Sequence, residues 1–272
     1  MQSAAGPDLQ QLRERIVQLS SGLEAWVAGQ HAPLRHRHDA SAGAHEWRIQ
    51  APSDVPAELA QHAAAVLSGL RDHLNAAVRD AADRTGTPPE QLDALRFPVA
   101  STLGEFEQLA ATGLAGASDA LQSAIEQLQP YQLSAAALGA NLRVIVRLAD
   151  AADAGEIDGA LVIASGVDPR TIEVSAGQAG ASADVTAGYG IGKPADGELA
   201  LRIVVRPATT PIQVQPFDPP SLVVAFGNAD ARVSVPDLHN LVATVERACN
   251  DLARVGAGTV AVSDVPLTPP SA

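Results

Sequence analysis

Cysteine occurs once in this 272-residue chain, as Cys249, which excludes a disulfide framework and a cysteine-built zinc site. Lysine also occurs once, as Lys193, so nearly all positive charge rests on arginine. Aromatic residues make up 3% of the chain, namely Trp26, Trp47, Tyr131, Tyr189 and four phenylalanines, leaving few anchors for a stacked base or ligand. No apolar run approaches the roughly 18 residues of a membrane span. The opening MQSAAGPDLQQ has no apolar core of a signal peptide, so the expected compartment is the cytoplasm. Basic residues number 18 against 31 acidic ones, a net charge of −13. That balance excludes generic binding to DNA or an anionic membrane and weighs against RNA. G-x-S-x-G, C-x-x-C and G-x-x-x-x-G-K-[ST] are all missing.

What is present is a foldable chain. A hydrophobic fraction of 46% with 18% charged residues supports a buried core and excludes wholesale disorder. The length suits one large domain or two small ones. Abundant alanine, with arginine in place of lysine, is the composition of a high-GC bacterial genome. The first half has helical periodicity. Leu9, Leu12, Ile16, Leu19, Leu23 and Trp26 recur at steps of three and four, and Gly29 ends the run. A polar loop follows, through QHAPLRHRHDASAGAHE to Trp47-Arg48-Ile49. A second helix opens near Ser53 and Pro56 and runs to about Arg84. Shorter helices fit Ser101–Ala111, with a capping box of Thr102 and Glu105, and Ser118–Gln129. Another spans about 133–153.

Near Gly155 the texture turns to short β-rich runs: Ala160–Ala164, Thr171–Ala176, Leu199–Arg206, Ile212–Phe217, Leu222–Phe226 and Arg232–Val235. One more helix spans about 237–255. The predicted class is α+β: an N-terminal bundle of about five helices, then an antiparallel meander and one C-terminal helix. The expected domains are 1–155 and 156–256, with 257–272 a loose tail. The larger share of the negative charge falls on the helical part.

Four groups of residues carry candidate chemistry. His31, His36, His38 and His45, with Asp39 and Glu46, offer ligands for a divalent ion, although Arg35 and Arg37 between them oppose a cation; a solvated loop is the plainer reading. His73, three residues after Leu70, is expected on the buried stripe of its helix with Asp72 at the edge. That makes it a hydrogen-bonded structural histidine or, in the sharper reading, a general acid/base. GYGIG at 188–192 lacks the third glycine and the following helix of a dinucleotide loop and reads as a hairpin loop. Cys249 lies on an apolar helix face and reads as an inert thiol. No cofactor is implied.

Leu70-Arg71-Asp72-His73-Leu74, Arg96-Phe97-Pro98 and Ile125-Glu126-Gln127-Leu128-Gln129-Pro130-Tyr131-Gln132 occur in that order, after Trp47-Arg48. Over roughly residues 8–155 this arrangement resembles a family of bacterial proteins from high-GC genomes that has no assigned activity. Its members carry a W-R strand, an LRSALDHL-type helix, an FP segment, an IExLQPYQ segment and a helix ending in NxxDKHR. The resemblance implies a helical part similar to the HEPN bundle, a fold that includes RNases with an Arg-x4-6-His motif. This chain departs from the pattern at two places. Ser68 stands where the family has the arginine five residues before the histidine, and Leu148-Ala149-Asp150-Ala151-Ala152-Asp153 stands where it has DKHR. The expected function is therefore a non-enzymatic protein-binding or self-assembling module, with a protein partner or a second copy. A degenerate HEPN-like RNase keeping His73, and a metal or small-molecule binder using the histidine loop, are the alternatives.

Overall fold

The computed structural model describes residues 8–29, 34–50, 54–165, 173–176, 182–187, 197–208, 212–215 and 221–255. His31, Ser53, the GYGIG segment and the expected tail lie outside the described residues. The architecture is mixed helix and antiparallel sheet. The chain divides into two compact units, each discontinuous in sequence: 1–14 with 65–154 and 238–272, and 15–64 with 155–237.

The first unit is helical. It contains the end of α1 that starts at Leu9 (α1, Leu9–Ala28), most of α2 (Ala57–Arg84), α3 (Pro89–Leu92), α4 (Leu103–Gly113) and α5 (Asp119–Gln127). A 3-10 turn at Leu133–Ala135, α6 (Ala136–Asp153) and most of α7 (Val235–Ala253) complete it. Leu67, Leu70, Leu74 and Val78 of α2 are fully buried at steps of three and four, as are Leu142, Ile145 and Leu148 of α6 and Leu238, Val245 and Leu252 of α7. Each such side chain contributes about 2 kcal/mol by leaving water. The ends of these helices are chemically defined. Thr102 Oγ1 accepts from Glu105 N at 3.2 Å while the Glu105 carboxylate accepts from Ser101 N at 2.6 Å, and Ser118 Oγ accepts from Leu121 N at 3.3 Å. At the start of α7 the Asp237 carboxylate accepts from both Ser234 N and Ser234 Oγ.

Sheet dominates the second unit. Its strands are β1 (Leu34–Asp39), β2 (Ala44–Ile49), β3 (Asp158–Ser165), β4 (Glu173–Ala176), β5 (Ser182–Ala187), β6 (Leu199–Arg206), β7 (Ile212–Gln215), β8 (Ser221–Gly227) and β9 (Arg232–Ser234). They form sheets of order β1-β2-β6-β5, β3-β8-β9 and β4-β7, with every pairing antiparallel. The order departs from a plain meander. β6 lies between β2, from the N-terminal half of the chain, and β5, while β3 pairs with β8 across a long stretch of sequence. The expected loop around His36, His38 and His45 is thus a β-hairpin. Its β1 side chains from Arg35 to Asp39 are all exposed, so no apolar alternation betrays the strand. The turn is set by Asp39, whose carboxylate accepts from Ser41 N and Oγ and from Ala42 N. Gly43 closes it at φ +61°, where a methyl group would stand 2.5 Å from Val205 O. The hairpin is held to β6 there, with Val205 N donating to Gly43 O at 2.9 Å.

Candidate functional site

On α2, Ser68 and Arg71 stand three residues apart and so share a face; Asp150 and Asp153 do the same on α6. The Arg71 guanidinium donates to Asp150 at 3.0 Å and to Asp153 at 2.7 Å, and Ser68 Oγ donates to Asp153 at 3.3 Å. Partial burial pulls the Arg71 pKa down. The hydrogen bond and charge of Asp153, with the charges of Asp72 and Asp150, outweigh that effect and raise it above its ordinary value. Asp153 is held below the usual carboxylate range, chiefly by its hydrogen bond from Arg71. Both substituted stretches of the resembling motif therefore meet: Ser68 and Asp153 touch each other. Asp72 is exposed and His73 half-buried rather than on the fully buried stripe, because Leu70, Leu74 and Val78 already fill the core-facing positions. Three carboxylates around one guanidinium leave this edge of α2 net negative. A phosphate brought beside His73 would be repelled, and the only described arginine in the cluster is already occupied by carboxylates.

The remaining motif segments converge on two buried amides. Asn75, two residues after His73, accepts from Phe97 N at 2.9 Å through Oδ1. Gln129 is wholly buried: its Oε1 accepts from Ala100 N at 2.8 Å, and its Nε2 donates to Pro98 O at 3.1 Å and to Ile125 O at 3.0 Å. The strand-like Arg96–Ala100 segment has no sheet to satisfy its backbone, and these side chains do so instead. On α6, Gly139 passes so close to the turn after α5 that a methyl group would lie 2.5 Å from Pro130 N. Leu-Arg-Asp-His-Leu-Asn, Arg-Phe-Pro and Ile-Glu-Gln-Leu-Gln-Pro-Tyr are brought together here by architecture.

In the second unit, His36 and His38 of β1 and His45 and Trp47 of β2 occupy one face of the hairpin, paired His36 with Trp47 and His38 with His45. The rings stack, with centroids 4.1 Å apart for His38 and His45 and 4.7 Å for His36 and Trp47; His36 Nε2 lies 3.2 Å from His45 Nδ1. Burial, then the neighbouring His38 and His36, lowers the His45 pKa. The rings lie face against face, and the close nitrogen contact is one imidazole with the other. Among the described residues no group of three or more His, Cys, Asp or Glu side chains is arranged to hold a metal ion.

No protein-family model, curated protein or solved structure matches this chain.

Of the residues singled out by sequence, Arg71, Asp72 and His73 share one cluster, while His36, His38 and His45 form a separate one in the other unit. Burial pushes the Cys249 thiol up to about 12, with Asp80 and Glu246 adding to the effect, so it is protonated and unreactive at neutral pH. Sequence reasoning passed over Asn75 and Gln129. Their signal was a polar amide beside a proline-containing stretch, Asn75 on the buried side of α2 and Gln129 in the turn after α5, immediately before Pro130. No described helix is long and apolar enough to cross a membrane.

Proposed function

We propose that this chain is a non-enzymatic binding module, assembling with a second copy or a protein partner in the bacterial cytoplasm, and an inactive branch of the family it resembles. The observation that carries this reading is the pairing of Arg71 with Asp150 and Asp153 at 3.0 and 2.7 Å. A metal-independent RNase needs a cation to hold phosphate in the transition state and an acid/base pair to move its protons. Here the cation beside His73 is neutralised, and the stretch matching the second histidine of the motif supplies carboxylates. The chemistry-bearing motifs also have a sufficient architectural role through Asn75 and Gln129.

The test is incubation of the purified chain with structured RNA beside His73→Ala, together with light scattering at micromolar concentration. No cleavage by either protein is expected. Cleavage by the wild type that His73→Ala abolishes would refute the reading and restore the nuclease. A monomer by scattering would narrow the reading to a heterologous protein partner.

A further inference from the structure

The face of the β1-β2-β6-β5 sheet opposite the histidines carries a net positive charge in an acidic chain. Residues paired across antiparallel strands project to the same side, and residues two apart along a strand share it. The registers Arg35↔Arg48, Arg37↔Glu46, Glu46↔Arg202 and Ser182↔Arg206 therefore place Arg35, Arg37, Arg48, Arg202 and Arg206 together on one face. Five of the chain's 18 basic residues are gathered there with three of its 31 acidic ones, Asp39, Glu46 and Asp184. Glu46 is shared between Arg48 at 3.0 Å and Arg202 at 3.5 Å, and Asp184 reaches Arg206 only at 3.9 Å with both side chains largely exposed. Asp39 is spent on the hairpin turn. Arg35 and Arg37, on the edge strand, are exposed and form no ion pair among the described residues. The rest of the chain carries more than twice as many acidic as basic residues.

We infer that this arginine face docks on the acidic helical surface of a second copy of the chain. The inference rests on the assembly reading above and gives it a surface and a geometry. Two copies of the arginine face repel one another, so a contact of this face with itself is excluded. The docking contact sets each face against a different surface of the other copy. Because its main term is exposed charge, it weakens as salt shortens the Debye length from about 10 Å at 0.1 M to about 3 Å at 1 M.

The test is sedimentation equilibrium of the full chain in low and high salt, with the double variant Arg35→Glu, Arg37→Glu. Both side chains are exposed, but Arg37→Glu sets a carboxylate across the strands from Glu46, so circular dichroism and thermal melting verify the fold, and the neutral double variant Arg35→Gln, Arg37→Gln carries the test if it is lost. Wild type is expected to associate at 0.1 M salt and to dissociate at 1 M, and the variant to associate at least roughly tenfold more weakly at low salt. Association that the folded variant retains removes this face while leaving assembly standing. A wild type that is monomeric at low salt removes self-assembly and this inference together, and saturable binding of a polyanion such as heparin by that monomer would reassign the face to a foreign anion.

Discussion

Gln129→Ala tests the architectural reading of the motif segments most directly. The substitution deletes three hydrogen bonds of 2.8, 3.1 and 3.0 Å from a side chain with no solvent exposure. Ile125 O keeps its second donor, Leu128 N at 3.1 Å, and loses little. Ala100 N and Pro98 O lie at buried positions and are left without the amide that satisfied them. At about 1 kcal/mol for each bond removed, plus a further penalty of about 1 kcal/mol for the stranded Ala100 N–H, the loss comes to about 3–5 kcal/mol. For a chain of this size that is a fall in Tm of roughly 10 °C. Urea and thermal denaturation measure it, with the exposed neighbour Gln127→Ala as a control expected to stay within about 0.5 kcal/mol. Gln129→Glu sharpens the test. One carboxylate oxygen keeps the Ala100 N–H, but the other faces two carbonyl oxygens, so the variant is destabilised at neutral pH and recovers as acid protonates the buried carboxyl. A Gln129→Ala loss under about 1 kcal/mol, or a Gln129→Glu protein as stable as wild type at pH 7, would refute the reasoning.

Gly139→Ala forces a methyl group to within 2.5 Å of Pro130 N and should destabilise the helical unit by about 1–3 kcal/mol, although alanine is the better helix former; a neutral or stabilised variant in thermal melts would contradict the close approach. The histidine hairpin makes stability depend on pH. His45 binds its proton less readily folded than unfolded, so its contribution is intact above the ordinary value of 6.5 and declines as pH falls below it. Asp153, held below 3.8 by Arg71, acts at a lower window: its contribution is present above that value and is lost as pH falls through the depressed one. Thermal melts from pH 8 to pH 3 should show both declines, with His45→Phe removing the upper one and Asp153→Asn the lower; a flat profile across pH 5–7 would contradict the stacked histidines.

Helix positions were legible because each had a redundant signal. The Leu9–Trp26 stripe, Gly29, and the Thr102–Glu105 and Ser118 caps are local chemistry, and the structure places α1, α4 and α5 within about two residues of those expectations. Six of the strands after Gly155 were legible in the same way, but β5 (Ser182–Ala187) was missed, because SADVTA has little β-branched or aromatic content to mark it. What failed was pairing at a distance. Nothing local in LRHRHD shows that it forms an edge strand, since its side chains from Arg35 to Asp39 are exposed and its partner β2 is in turn held to β6 some 150 residues later. The polar stripe positions misled in the opposite direction. His73 drew attention as the group with titratable chemistry, whereas the buried amides are Asn75 and Gln129, whose value depends on a segment elsewhere in the sequence.

The same long-range logic bears on the two departures from the resembling motif. Taken along the chain, a serine at position 68 and the acidic stretch near position 150 are unrelated features. In space they are one cluster. Ser68 Oγ donates to the Asp153 carboxylate that stands in the altered stretch, and the same carboxylate takes Arg71. An arginine at position 68 would compete with Arg71 for Asp153, and a basic stretch at 150–153 would leave Arg71 facing like charge instead of two carboxylates. The present set is mutually satisfied, and reinstating a single residue of the motif would break a pair without completing a site. Making this edge net positive would require changing both helices together. That interdependence makes the cluster one linked set of contacts joining α2 to α6.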